Sequence, residues 1–361
     1  MQQRNYSGTN FVTGLRFIAV FLVFLIHSGG AGLREYSLWT SDFVSYGQNG
    51  VEVFFVISGF TIFYQIFEKN YEFKKFLQVR IIRISLVYFP ILLFLYVVYK
   101  TTGVIVSDLS YKLNNGVISL ENLLVHMVYL GFLDVKYANT IIGVEWTLNV
   151  EVFYYILLGY LIYKGLLRGE IKNTVYYLVV FLLLSFIVAI ISYKHMIDPL
   201  WVNWMPFYYG YMFILGGFAY SLRKHITESF NSTNLSLISN SATAIAIILW
   251  LGLALNHTYF PAKVSGGLTA LIVFILLLFT RDNSVFSFLL NNKVFIFIGS
   301  LSYSFYLLHM ICIYVVKEFI IEPFGVFLVS FMMTLFVSYI SYELLEIKAY
   351  IKLKSFVLKK R

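Results

Sequence analysis

The segment LRFIAVFLVFLIH, from Leu15 to His27, decides the fold class of this chain. Ten consecutive apolar residues separate Arg16 from His27, and the segment lies within a predominantly apolar stretch, 11–29. About 20 such residues form a helix long enough to cross the roughly 30 Å hydrocarbon core of a membrane. The segment therefore predicts a transmembrane helix.

Nine further stretches of similar character follow, and the composition agrees with them. Hydrophobic residues make up 60% of the 361 positions and charged residues only 12%, against about 45–50% and about 25% in a soluble domain. We predict an all-α membrane protein with about ten transmembrane helices, comprising one membrane domain over residues 1–346 and a basic cytoplasmic tail over 347–361. The nine stretches are 48–67, 84–102, 142–163, 174–193, 205–222, 241–255, 264–280, 295–317 and 324–345.

The distribution of basic residues predicts the orientation. With the N-terminus in the cytoplasm, all but seven of the 27 Lys and Arg residues fall on the cytoplasmic side. The positive-inside rule therefore predicts that both termini are cytoplasmic. The net charge of +9 is spread over separate loops and forms no single basic face, so we expect membrane lipids and no nucleic acid as partners.

Four of the ionisable residues inside predicted spans are informative, because charge there is costly and indicates function. His27, Glu52, Glu151 and His309 come from four different helices, and counting residues along each helix puts all four in the outer half of the membrane. A histidine that a carboxylate orients can take a proton from a hydroxyl. We therefore predict catalytic roles for all four residues and no metal site.

The same residues leave two other mechanisms open. A set of His and Glu side chains within a membrane fits a proton-coupled transporter equally well. Ser58 or Ser302 could in principle act as a nucleophile, although no GxSxG elbow supports this.

Four basic residues, Lys74, Lys75, Arg80 and Arg83, precede or open the third predicted span. The two lysines are explained by topology alone. Arg80 and Arg83 share one helical face, and an arginine fork matches a phosphate better than a merely topological charge requires. We expect these arginines to hold a phosphate-bearing donor on the cytoplasmic side.

Six motifs in this order resemble those of the membrane-bound acyltransferase family 3, which includes bacterial O-acyltransferases of O-antigens and exopolysaccharides. Leu86 and Ile347 stand where the family commonly has proline. The motifs are LRFIAVFLVFLIH (Leu15–His27), GVEVFFVISGF (Gly50–Phe60), RIIRI (Arg80–Ile84), WTLNVEVFYY (Trp146–Tyr155), SYSFYLLH (Ser302–His309) and YELLE (Tyr342–Glu346).

The resemblance implies an O-acyltransferase of the bacterial inner membrane, with acyl-coenzyme A, most often acetyl-CoA, as a co-substrate and no permanently bound cofactor. It implies His27 as the catalytic histidine and places Arg16, Arg80 and Arg83 at the donor. Some relatives carry an additional SGNH domain, which we do not expect here. We expect Trp146, Tyr303 and Tyr306 to contact substrate, with Tyr303 and Tyr306 as candidate oxyanion donors.

The acceptor is expected to be a surface glycan or a lipid-linked oligosaccharide. A covalent acyl-His27 step stays possible, and so does an acyl group other than acetyl, such as succinyl. The alternative from another class is a glycan exporter without chemistry, which would show inverted repeats and broken helices.

Overall fold

The computed structural model describes residues 10–68, 71–194, 199–229, 232–281 and 284–359. Four basic residues of the predicted cytoplasmic segments, Arg4, Lys69, Lys360 and Arg361, lie outside the described residues. Within these ranges the chain is helical and contains no β-strand. This confirms the predicted all-α fold class.

Sixteen α-helices occur in the described chain. Two π-helical segments, Tyr64–Glu68 and Tyr342–Ala349, extend α3 and α15, and short 3₁₀ turns connect other helices. The helices are α1 (Asn10–His27), α2 (Leu38–Tyr46), α3 (Gly50–Phe63), α4 (Phe73–Thr102), α5 (Asp108–Asn114), α6 (Leu120–Met127), α7 (Trp146–Tyr163), α8 (Ile171–Tyr193), α9 (Pro199–Val202), α10 (Pro206–Ser229), α11 (Ser232–Leu255), α12 (Ala262–Phe279), α13 (Val285–Leu290), α14 (Lys293–Lys317), α15 (Pro323–Ser341) and α16 (Tyr350–Lys359).

Long helices occupy all ten predicted positions. Among the described residues, eight helical runs are long and apolar enough to cross a membrane, as expected of a multi-pass membrane protein. The other two are α7, which carries Asn149, Glu151 and several tyrosines, and α10, which is also rich in tyrosine. In α7, Asn149 is buried and Glu151 is half-buried against neighbouring helices. The number of membrane crossings and the side of each terminus stay predictions.

Two helices extend beyond the predicted spans. α4 begins at Phe73, before the predicted span 84–102, so Arg80 and Arg83 lie inside a continuous helix. Lysine, arginine and glutamine favour helix, and hydropathy alone misses helical turns that contain them. For the same reason the basic tail is helical as far as it is described, because α15 continues through the second π-helical segment into α16.

The core of the bundle is built around α1, α3 and α14, and α10 lies directly against α3. Two glycines allow α3 and α10 to approach closely. A Cβ on Gly59 would lie 1.9 Å from the Phe213 carbonyl oxygen, and one on Gly216 would lie 2.0 Å from that of Val56. Small residues at a helix contact are typical of membrane bundles, where close backbone packing stabilises association.

Residues 103–145 form a folded cap at the predicted outer face. Its helix α6, of eight residues, is too short to span the membrane. The buried carboxylate of Glu145 accepts hydrogen bonds from the backbone N–H groups of residues 141–144 at 2.7–3.2 Å. His126, also fully buried, places Nε2 3.7 Å from a Glu145 oxygen. Glu145 therefore fixes the turn that leads into α7.

Candidate active site

A cavity of about 800 Å³, including its open mouth, lies between α1, α3, α4, α7 and α14. Its walls are mainly apolar and aromatic, and its polar groups come from five helices that are far apart in sequence. The lining includes Arg16, Ser58, Arg80, Arg83, Thr147, Glu151, Tyr155, Ser302, Tyr303 and Tyr306. Concave, largely apolar sites with a few converging polar groups are typical of ligand-binding pockets.

Three arginines give this cavity its charge. Arg16 on α1 lies close enough to Arg80 and Arg83 of α4 for their positive charges to interact. Arg80 is only 5% exposed, and its Nε and Nη2 atoms have no hydrogen-bond partner, while Nη1 donates to the Tyr155 hydroxyl at 3.4 Å. Buried charged donors without partners are costly unless a ligand satisfies them. The geometry therefore favours an anionic ligand at Arg80.

Glu346 forms an ion pair with Arg83. Its carboxylate lies 3.8 Å from Arg83 Nη2 and accepts a hydrogen bond from Ser304 Oγ at 2.7 Å. Glu346 is buried and lies in the π-helical segment Tyr342–Ala349. Such π-helical turns often occur at functional sites, because they shift side chains out of the regular helical register.

Glu151 belongs to the same cavity as the arginines. It accepts hydrogen bonds from Ser58 Oγ at 2.9 Å and from the Tyr155 hydroxyl. Because Arg80 donates to that same hydroxyl, Glu151 and Arg80 are joined through Tyr155. The carboxylate partly balances the positive charge of the three arginines and fixes the tyrosine between them.

A second cavity, of about 520 Å³ with its mouth, lies at the N-terminal end of α1 and the C-terminal end of α3. It is lined by Val12, Thr13 and Gln65, among others, and Arg16 and Arg83 line it together with the first cavity. The two cavities therefore meet at these two arginines. In the predicted orientation the second cavity opens towards the cytoplasm.

His27 and His309 form a direct pair. His27 Nδ1 lies 2.9 Å from His309 Nε2, and the two rings stack with centroids 5.1 Å apart. His309 is fully buried, whereas His27, the last residue of α1, is half-buried. His27 lies eleven residues after Arg16, about 16 Å further along the helix axis. The pair is therefore well separated from the arginines.

The hydrogen bonds of this pair determine both tautomers. His309 Nδ1 lies 2.7 Å from the backbone carbonyl oxygen of Tyr306, and a carbonyl can only accept, so Nδ1 carries the proton. In neutral His309 the Nε2 atom is then an acceptor, and His27 Nδ1 must donate to it. Neutral His27 is left with an unprotonated Nε2. The chain Tyr306–His309–His27 thus presents a base at its half-buried end.

The two cavity tyrosines use their hydroxyl protons elsewhere. Tyr306 donates to the Val144 carbonyl at 3.0 Å and accepts from Thr147 Oγ1, also at 3.0 Å. Tyr303 donates to the Ile84 carbonyl at 2.6 Å. With these protons committed to backbone carbonyls, both residues line the cavity by their rings. An oxyanion role would require either hydroxyl to give up its backbone partner.

Glu52 and Trp146 lie outside the lining of this cavity. Glu52 is in the first turn of α3, with Tyr208, Tyr209 and Tyr211 of α10 as electrostatic neighbours. The Trp146 ring packs on Phe55 and Tyr209, at centroid distances of 6.0 and 5.4 Å. Both residues are therefore part of an aromatic cluster between α3, α7 and α10.

The four acidic and histidine residues expected in one layer thus have three separate environments. His27 and His309 contact each other, Glu151 lies in the arginine cavity and Glu52 lies beside the tyrosines. Among the described contacts, the group that orients His27 is His309 and not a carboxylate. Depth along a helix could be counted from the sequence, whereas the direction of each side chain depends on how the helices pack.

The structure adds three polar residues to this site. Glu346, in the closing motif YELLE, contacts Arg83, and its motif was the available signal. Tyr155 follows Glu151 by one helical turn, a spacing that permits contact. Thr147 contacts Tyr306 across 159 positions of sequence, and nothing in the sequence pattern indicated that contact.

Comparison with known proteins gives one match. A family model for an acyltransferase domain matches residues 9–343, which is nearly the whole chain. No curated protein and no solved structure matches the chain.

Proposed function

The chain belongs to acyltransferase family 3, and from this membership we propose that it moves an acyl group from cytoplasmic acyl-CoA to a hydroxyl of a surface glycan. Membership makes the chain a membrane acyltransferase, so an exporter without chemistry is set aside. The observation that carries the proposal is the order of two sites along the axis of α1. An anion-binding cavity lies at Arg16, and a base lies about 16 Å further along the helix, at His27.

The donor occupies the inner part of this path. Its phosphates bind Arg80, Arg83 and Arg16, and the unpaired Nε and Nη2 atoms of Arg80 support this placement. Phosphate oxygens accept the two parallel hydrogen bonds that an arginine fork offers. The pantetheine arm then runs through the apolar part of the cavity, past Tyr303 and Tyr306, towards the histidine pair.

In the transfer step, His27 acts in the tautomer that leaves its Nε2 atom unprotonated. The acceptor hydroxyl loses its proton to His27 Nε2 while its oxygen attacks the thioester carbonyl carbon. The carbon–sulfur bond breaks, and coenzyme A leaves as a thiolate that takes the proton back from His27. His309 does not touch the reacting atoms in this scheme. It acts as a positioning residue, because its Nε2 atom accepts the hydrogen bond from His27 Nδ1–H and so fixes the tautomer of His27.

The acyl group is acetyl and the membrane is the bacterial inner membrane in this proposal. The test compares surface glycans from a deletion strain that carries wild-type, His27→Ala or His225→Ala protein. General base catalysis contributes about 10²–10⁴-fold, so we expect base-labile acetyl on the glycan to fall to background with His27→Ala. His225, exposed near the end of α10, is the matched control and should keep wild-type acetylation. Full acetylation with His27→Ala would refute His27 as the base.

A further inference from the structure

A second group of polar and aromatic residues lies at the predicted outer face, beside the active site. We call it the outer cleft, and it consists of Asn49, Glu52, Tyr208, Tyr211, Lys263 and Gly266. Glu52 comes from α3, and Tyr208 and Tyr211 share one face of α10 at a spacing of three residues. Gly266 of α12 lies against the carboxylate, since a Cβ there would be 3.0 Å from Glu52 Oε1.

Two buried acceptors in the outer cleft have no partner. Glu52 Oε2 makes no hydrogen bond, and Glu52 has no ion pair within the described part of the chain. Asn49 is 1% exposed, and its Oδ1 atom is also unpaired, while its Nδ2 donates to Ser265 at 2.7 Å. Buried acceptors are nearly always satisfied in folded proteins, so two of them one helical turn apart indicate a ligand that brings donors.

The aromatic side of the outer cleft is partly open. Tyr208 and Tyr211 are half-buried, unlike Tyr209 between them, which is 6% exposed. The ammonium group of Lys263 lies 4.9 Å from the centroid of the Tyr208 ring. Tyrosine rings supply large, rigid contact area together with a polar end. The outer cleft therefore combines hydrogen-bond acceptors with aromatic faces.

The outer cleft adjoins the active site. Glu52 is an electrostatic neighbour of Tyr306, whose backbone carbonyl begins the chain to His27. Val51 and Phe54, on either side of Glu52 in α3, line the arginine cavity. A molecule bound against Glu52 would thus lie next to the outer end of the donor path.

We propose that the outer cleft binds a neutral sugar residue of the acceptor. Sugar hydroxyls donate to Glu52 Oε2 and Asn49 Oδ1, and the apolar C–H face of the sugar packs on Tyr208 and Tyr211. A neutral sugar fits because the site holds one carboxylate and one ammonium group. The inference rests on the proposed function, and it assigns Glu52 to acceptor binding.

The test separates acceptor binding from donor binding. Glu52→Leu, which removes both acceptor oxygens, and Tyr208→Ala are each introduced into the deletion strain, and base-labile acetyl on the surface glycans is quantified. The acetyl-CoA Kd of the same purified variants is measured in lipid nanodiscs. We expect acetylation to fall tenfold or more while the acetyl-CoA Kd stays within twofold of wild type. Tyr208→Phe, which keeps the ring, should restore acetylation, and Tyr259→Ala, at an 80% exposed tyrosine nearby, serves as the matched control.

Each outcome decides the proposal. Wild-type acetylation in both Glu52→Leu and Tyr208→Ala would overturn the outer cleft as the acceptor site. Loss of acetyl-CoA binding in these variants would also overturn it, because the cleft would then serve the donor or the fold. If wild-type protein neither binds acetyl-CoA nor acetylates glycans, the proposed function fails and the acceptor site fails with it. Acetyl-CoA binding by the wild type, with both variants fully active, would refute the cleft alone.

Discussion

Replacing His309 tests whether the tautomer chain governs catalysis. In His309→Leu the 2.9 Å acceptor for His27 Nδ1 disappears, and the imidazole loses the partner that fixes its orientation and its tautomer. Leaving such a buried donor unpaired costs about 1–3 kcal/mol. If this free-energy cost adds to the activation barrier of the transfer step, kcat drops about 5- to 150-fold. His309→Gln keeps an acceptor oxygen, so it should recover most of the lost kcat.

The assay measures release of the coenzyme A thiol by purified protein in lipid nanodiscs supplied with membranes from the deletion strain as the acceptor source. His309 is not in the lining of the arginine cavity, so the KM for acetyl-CoA should be unchanged in both variants. Thermal melting controls for folding, because both substitutions replace a fully buried side chain. The reasoning is refuted if His309→Leu keeps kcat within twofold of wild type, or if it changes only the KM for acetyl-CoA.

Three further predictions concern other parts of the molecule. Arg80→Lys removes the planar fork and should raise the KM for acetyl-CoA about tenfold with little change in kcat, as steady-state kinetics will show. Glu346→Gln removes the ion pair that holds Arg83 and should weaken acetyl-CoA binding several-fold in calorimetry, whereas unchanged affinity would contradict this positioning role. Burial lowers the pKa of His126 below its ordinary value of 6.5, so the unfolded state binds more protons and stability falls as the pH drops below about 6.5. His126→Phe should flatten the dependence of Tm on pH between about pH 5 and about pH 7, and an unaltered slope would exclude His126 as its source.

The membrane fold could be predicted because it depends on length and composition. Each predicted span, including the one around Leu15–His27, corresponds to a long helix, since a run of about 20 apolar residues has few other stable structures. The helix boundaries were less predictable. The first turns of α4 carry Lys74 and Lys75, and hydropathy cannot distinguish a polar helical turn from a loop.

Some residues of the candidate site could be predicted, but the contacts between them could not. His27 and Arg16 share a helix, so their separation follows from helical geometry alone. The pairing of His27 with His309 joins residues 282 positions apart, and only the packing of α1 against α14 brings them together. The place of Glu151 among the arginines depends likewise on the rotation of α7, which the sequence of that helix alone does not define.

The junction of the two cavities has a consequence for the membrane itself. An enzyme that brings substrates to one point from both faces of a bilayer has to prevent ions from leaking along the same route. Arg16 and Arg83 line both cavities, so a cation moving from one to the other must pass two fixed positive charges. Single arginines exclude protons and cations in selective pores in this way. The arginines proposed to bind the anionic donor would thus also prevent cations from leaking along the path.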